Sequence, residues 1–498
     1  MVEARWLAWT LFAVYLVGTY WLAWQGHKKT DSFRTFALGS GSMGPGLAGV
    51  TLGACLASTA TFVINPGFVY AYGLPALLAL TLPFFAGIFA GLFTLGPGFK
   101  RHGGGAATLP VWIGRRYGSE ALRGYFAALS LLHVFYMVLI VVGASFVLVA
   151  TLGVPYEAAV TIVVGVVFSY VLLGGTYAHA YTNMAQGVIM LGVAVAIFVQ
   201  AARGVGSPTE ALATLAAQDP HLTGWLHPES PFYRNWLEVA VCPFLLGFAI
   251  VAQPHLLVKS LYVKTQRDLA VMSLTGGVCF VVFSLVLFAG LAARLELGAG
   301  LNQDVAMSSW LGTAFPGALG AFIGVTILAA AMSTLDGLLV AVSCIVGNDL
   351  VGHPAVARRF GLHTEEQRER AALRAGRWTV LVLGGVAWAI SLDPPALVGI
   401  FGTVGTYGLL AASLPAIFYG VVRERPPAAW TMVAASVVAL TVHLGLYLTV
   451  TVNTGLTASV ALLAAMPLPA LLDLLTRRAP VAEALVDRPS PEAEPVGV

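Results

Sequence analysis

Residues 328–344 read LAAAMSTLDGLLVAVSC, an apolar run interrupted by Ser333, Thr334 and Asp336. In hydrocarbon an ionised carboxylate costs at least a few kcal/mol, so it persists only where it faces a polar interior or a partner. The apolar stretch around it, about 315–348, is longer than one bilayer thickness at ~1.5 Å per residue, so it tilts or runs beyond the membrane. An intramembrane acid two residues after a Ser-Thr pair therefore reads as part of a polar path through a helical bundle.

The rest of the chain supplies that bundle. Of 498 residues, 58% are hydrophobic and 10% charged, and the mean hydropathy is +0.84, well outside the range of water-soluble domains. A membrane-spanning helix needs about 20 apolar residues, and thirteen stretches qualify, among them 5–25, 46–73, 75–97, 155–175, 180–201, 236–258 and 315–348. The first is long, aromatic and without a small-residue cleavage site, which predicts a retained helix. With thirteen spans, 22 of the 26 Lys and Arg residues fall on one side and four on the other. That asymmetry puts the N-terminus outside a cell membrane and the C-terminus in the cytoplasm.

The formal charge of +3 follows from the same bias and gives no ground for nucleic-acid binding. Cys55, Cys242, Cys279 and Cys344 all lie inside spans at spacings that fit neither disulfides nor zinc. Glu157, Glu238, Asp349 and Asp473 sit near span ends, within reach of water. The final stretch, 479–498, is Pro-rich and acidic and reads as a disordered tail. No Ser-His-Asp arrangement with a nucleophile elbow accompanies Ser333 and Asp336, which argues against an enzyme.

Other spans carry polar groups at depth. The second gathers Ser58, Thr59, Thr61 and Asn65 beside Pro66-Gly67, and non-helical backbone is tolerated there only inside protein or along a cavity. The sixth brings Asn183 and Gln186. His133 is either a packing residue or a proton relay, and Gln253-Pro254-His255 either a gate or an interfacial helix end. Hydroxyls and carboxamides are oxygen donors of the kind hard cations prefer. Single Ser and Thr residues in such helices more often bond their own backbone.

The ordered stretches PGFVYAYG (66–73), GGTYAHAYTNMAQGVIMLG (174–192), QPHLLVKSLYVKTQRD (253–268) and AAAMSTLDGLLVAVSCIVGNDL (329–350) make the chain resemble the sodium:solute symporters, in the branch of pantothenate and monocarboxylate permeases. The resemblance spans about 5–450. It implies an all-α integral membrane protein of about thirteen transmembrane helices with a five-plus-five inverted-repeat core. The segments would be an extra N-terminal helix and internal loop (1–45), repeats at 46–201 and 236–421 joined by an external loop (202–235), two C-terminal helices (422–478) and the tail.

By the same resemblance, a Na+ ion would be held by the carbonyls of Ala54, Ala57 and Ala330 and the hydroxyls of Ser333 and Thr334. Asp336 and Asn183 would govern ion coupling, Asn183 standing where the family commonly has Asp. The solute would be met by Ser58, Thr61, Asn65, His133, Phe248 and Gln253. The expected partners are sodium, the lipid bilayer and a small solute, an organic acid such as a monocarboxylate or pantothenate. No basic residue at mid-span depth is expected to pair with such an anion. A zwitterionic or cationic solute facing Asp336, proton coupling, and a transporter-like sensor are the alternatives.

Overall fold

In the computed structural model the described residues are 2–27, 44–103, 106–395 and 397–476, with side chains described except at 2–5, 26–27, 173–182 and 354. They form helices and connecting turns, with no strand among them. The expected tail lies outside the described residues, as does most of the loop before residue 44.

Helix α1 covers Val2–His27. The second expected span is broken. Helix α2, Pro45–Leu56, stops at Ala57, whose backbone is extended (φ −89°, ψ 104°), and the chain re-enters a helix through a π-turn over Ala60–Ile64 into α3, Asn65–Leu80. Helix α4 is Leu82–Arg101 and α5 Leu109–Tyr117. Two long segments follow, α6 over Glu120–Leu152 and α7 over Tyr156–Val205.

The seventh expected span is broken too. Helix α8, Leu237–Ile250, meets α9, Pro254–Leu261, at a 60° bend. Helix α10 is Gln266–Leu297, α11 Gln303–Ala314 and α12 Gly317–Val351, the helix of the Ser-Thr-Asp stretch. Helices α13 (Glu365–Leu392), α14 (Val398–Val422), α15 (Ala429–Thr449) and α16 (Thr454–Thr476) complete the chain.

Among the described residues, by length and apolarity ten helices can cross a membrane, or eleven if the bent pair is one span, so the expected count of thirteen is not reproduced. The difference has local causes. Breaking the second span leaves α2 at 12 residues, the third runs on from the second as Ala60–Arg101, and the fifth merges with the sixth in the 50-residue α7. Single-span length is a property of unbroken helices, and these segments are broken or fused.

The two halves exchange partners. Helix α2 packs along α10, and α8 along α4, so the broken helix of each half lies on the second long helix of the other. Glycine permits both approaches: a Cβ on Gly49 of α2 would stand 2.8 Å from the Met272 carbonyl oxygen, and one on Gly87 of α4 would overlap the carbonyl of Phe244. Helix α12 is buried through most of its length, between α6, α7 and α1. An apolar helix buried on all sides belongs at the centre of a membrane bundle.

Candidate functional site

The break in the first half sets carbonyls against α12. The Ser58 N–H would close a helical turn on the Ala54 carbonyl, but it donates to Thr61 Oγ1 at 3.3 Å. Thr334 Oγ1 on α12 reaches back across the interface, 3.3 Å from the Ala57 carbonyl oxygen and 3.4 Å from that of Ala330. Ser333 Oγ donates to the Ala330 carbonyl at 2.9 Å. Ala57, Ala330, Ser333 and Thr334 thus meet in one buried cluster, with Ala54 one turn along α2. One hydroxyl hydrogen shared between two carbonyls more than 3.2 Å away makes weak bonds. Oxygens so loosely engaged suit a hard monovalent cation, and no Cys or imidazole enters the set.

Asp336 lies on the face of α12 toward α7 and α1. Its carboxylate accepts from Tyr170 Oη at 3.1 Å, and that hydroxyl also lies 3.3 Å from the Met332 carbonyl. Tyr20 of α1 packs edge-on to the Tyr170 ring at 6.3 Å and shares a 2.5 Å hydrogen bond with Ser169. Gln186 Nε2 donates to Tyr15 Oη at 2.8 Å. Asn183, fully buried, donates from Nδ2 to the Thr51 carbonyl (3.2 Å) and to Cys55 Sγ (3.1 Å), while its Oδ1 has no partner. The two coupling candidates therefore adjoin the break from different sides.

A cavity of about 170 Å³ opens beside the cluster. Ser58, Thr61, Asn65 and Gln253 line it, so the structure brings together four of the six expected solute contacts and both breaks. Gln253 is 2% exposed and its Nε2 has no hydrogen-bond partner. Phe248 does not line this cavity; it packs near Phe418 at 6.3 Å, over the groove at Gly91. His133 lines a smaller neighbouring cavity of about 20 Å³ shared with Gln253, and its Nδ1 pairs with the Ser130 carbonyl at 2.8 Å.

Three charged groups depart from the expectation. Lys259, counted in an inner loop by sequence, is 2% exposed, lies 5.5 Å from the Tyr262 ring centre and is within electrostatic reach of Cys55 and Asp336. Pro254, which bends the chain just before it, was the signal that could have placed it inside. Asp349, expected near water, is fully buried and accepts from Thr108 Oγ1 (2.6 Å), Arg123 Nε (2.8 Å) and Asn348 Nδ2 (2.8 Å). Glu238 is 4% exposed and held by Arg234 through Nε at 3.0 Å and Nη2 at 2.5 Å. Each acid is held by an arginine: Glu238 by Arg234 four residues earlier, and Asp349 by Arg123 of α6, 226 residues away, a pairing that chain position alone does not reveal.

Two interrupted helices, a buried oxygen cluster at one interruption and a cavity shared by both define a membrane transporter of the inverted-repeat type. Comparison with known proteins is more specific: the profile of the sodium:solute symporter family matches residues 36–437, and the chain belongs to that family. It is a symporter with sodium as its coupling ion, not an enzyme. It is 27% identical over 415 residues to the sodium/pantothenate symporter of Escherichia coli (strain K12), covering 80% of this chain and 81% of that one. To the osmoregulated proline transporter OpuE of Bacillus subtilis (strain 168) it is 25% identical over 438 residues, covering 85% of each. A solved structure of a Na+-coupled sialic acid symporter, substrate-bound and outward-open, superposes with a TM-score of 0.77 at 16% identity, covering 94% of this chain and 97% of that one. The fold is thus that of an inverted-repeat symporter.

Proposed function

We propose that the chain imports a small carboxylate-bearing solute by alternating access, driven by sodium bound at the first break. The ion is held by the carbonyls of Ala54, Ala57 and Ala330 and the hydroxyls of Ser333 and Thr334, with Asp336 and Asn183 tuning its affinity. What carries this reading is the Thr334 hydroxyl lying between the carbonyls of Ala57 and Ala330 where α2 stops. The solute's carboxylate meets the head of the re-entering helix at Ala60, where the backbone dipole is positive, and the unpartnered Gln253 amide. The named solutes of the two curated relatives, proline and pantothenate, both carry a carboxylate, which supports the class.

The repeats in this reading are 46–201 and 236–421, with the N-terminus outside and the C-terminus in the cytoplasm. Reconstitution into proteoliposomes tests it. An inward sodium gradient should accumulate at least one of a panel of amino acids and organic acids, and a proton gradient alone should not. Accumulation on the proton gradient alone, or facilitated entry without concentration, would overturn sodium-driven import. Binding of a solute with no entry on any gradient would favour the sensor alternative.

A further inference from the structure

From Gln253 a row of smaller cavities leads out of the main one, and neighbours share walls. Gln253 lines both the main cavity and the space of about 20 Å³ beside it, where His133 Nε2 has no hydrogen-bond partner. Leu109, Pro254 and Ile345 line that space and also the next, of about 40 Å³, whose wall includes Thr108, His255, Lys259 and Cys344. Ala107 belongs to this cavity and to a last one of about 310 Å³, which opens beside the exposed Arg115 and Glu120 and beside Arg123. Ionisable side chains inside a membrane bundle mark ion and substrate routes, and His133, His255 and Lys259 all stand along this one. Both partitions on the way out contain the start of α5, Leu109 in one and Ala107 in the other, with Thr108 between them.

What pins the start of α5 is Asp349, in the π-helical end of α12 at Val346–Val351, a kind of turn frequent at functional sites. Thr108 Oγ1 caps α5 by accepting from the Val111 N–H at 3.3 Å, and gives its own hydrogen to Asp349 Oδ2 at 2.6 Å. Asp349 Oδ1 accepts from Arg123 Nε and Asn348 Nδ2, both at 2.8 Å. The other end of α5 is tied to α14: Tyr117 Oη donates to the Ala416 carbonyl and Arg116 Nε to that of Gly420, each at 2.7 Å. A nine-residue helix tied to α14 at its tail and to one carboxylate at its head swings about the tail once the carboxylate lets go, and that motion opens both partitions together. We infer that this row of cavities is the release path of the solute toward the cytoplasm, and that Asp349 is the positioning residue that keeps the outlet shut, acting through Thr108 on the head of α5. The direction of the path rests on the import reading. A buried carboxylate keeps its donors until water replaces them, so the latch yields only as the path fills with water.

Cys344 on the path reports its opening, and buried Cys279, on α10 against Gly53 of α2, reports the bundle away from it. The full chain, in membrane vesicles of either orientation, is treated with the impermeant anion 2-sulfonatoethyl methanethiosulfonate, and labelling of each cysteine is followed by mass spectrometry. Wild-type Cys344 should react slowly, and only from the face that carries Arg115 and Arg123. Asp349→Asn and Thr108→Val should each raise the Cys344 rate roughly tenfold, the effect of losing one hydrogen bond to a charge, with Cys279 unchanged. Thr108→Ser, which keeps the hydroxyl, should restore the wild-type rate. In Asp349→Asn the Arg123 guanidinium keeps Glu120 at 3.2 Å as a counter-charge, and Thr108→Val changes no charge, so the test does not hang on one variant's folding. Parallel acceleration of Cys344 and Cys279 would make the Asp349 cluster a structural staple and overturn the inference. Wild-type Cys344 rates in both variants, or reaction from the opposite face, overturn it as well. The measurement uses neither solute nor gradient, so its failure leaves the symport reading standing. A wild type without any sodium-driven uptake would tell against that reading whatever the Cys344 rates.

Discussion

The two broken helices solve the same backbone problem in opposite ways. At the first break the Ser58 N–H turns away to Thr61, so the Ala54 carbonyl loses its helical donor, and the Ala57 carbonyl meets the long contact from Thr334. At the second, the backbone closes on itself: Ala252 N–H reaches the Ala249 carbonyl at 2.9 Å and Gln253 N–H the Ile250 carbonyl at 3.1 Å. There the unsatisfied group is a side-chain donor, Gln253 Nε2. One break presents oxygen and the other presents N–H. A cation and a carboxylate can therefore be received within one cavity without competing for the same groups.

The widest breach of this comparison is at the ion side. Replacing Ser333 and Thr334 together by Ala should raise the sodium concentration for half-maximal uptake roughly a hundredfold, since contacts to a charge are worth about 1.5–3 kcal/mol each. Each single variant should give about a tenfold rise. Alanine suits a helix interior, so the amount of folded protein should hold. Wild-type sodium dependence in the double variant would remove the first break from ion binding.

On the solute side, Gln253→Leu keeps bulk and deletes the donor. Solute affinity at saturating sodium should fall roughly thirtyfold, the size of a lost charge-assisted bond. Thermal stabilisation by sodium without solute should be that of the wild type. If sodium stabilisation falls in parallel, the two breaks are one site and the contrast between them is wrong.

Much of this contrast was legible in the sequence at residues that violate a local rule. Ser333, Thr334 and Asp336 stand in an apolar run, Ser58 and Thr61 precede Pro66-Gly67, and Gln253 precedes Pro254. Polar groups and prolines at membrane depth are costly enough to mark function by themselves. The Arg123–Asp349 pair was not legible. Each residue has the ordinary appearance of a charge near a span end, and their meeting at 2.8 Å joins positions 226 residues apart. Lys259 was hidden by its place next to Lys264 and Arg267, where loop charge counting absorbs it.

Asp336 sharpens the ion side further. Attraction between unit charges about 5–6 Å apart at an effective dielectric near 20 is on the order of 3 kcal/mol. Half of that corresponds to roughly a tenfold change, so Asp336→Asn should raise the sodium requirement about tenfold while solute affinity at saturating sodium changes much less. The reverse pattern, normal sodium activation with solute affinity lost, would make Asp336 the partner of a cationic solute. Lys259→Met adds a second measurement, because removing a buried cation within reach of Asp336 should lower the sodium requirement severalfold.

The smallest expected effect lies beyond both breaks, in the loop that carries Phe232 and Tyr233 to the cavity. His227 in this loop is largely buried, 3.4 Å from Asp219 and edge-on to the Tyr72 ring at 5.7 Å, and Tyr72 packs on Phe232 and Tyr233. Burial lowers its pKa from the ordinary 6.5, outweighing the opposing pull of Asp219 and Glu229, while neighbouring His221 adds to the lowering. A histidine depressed in the fold binds fewer protons than in the unfolded chain. Its contribution to stability is therefore complete above pH 6.5 and is lost as pH falls below it. Between pH 7.5 and 5.5 the wild type should lose roughly 1–2 °C more in melting temperature than His227→Gln. Sodium half-saturation should be the same for the two proteins at both pH values, because the titrating group belongs to the loop and to neither break. An equal loss in both proteins would take His227 out of the loop's acid sensitivity, and a shift in sodium half-saturation that follows the substitution would tie this loop to the ion site after all.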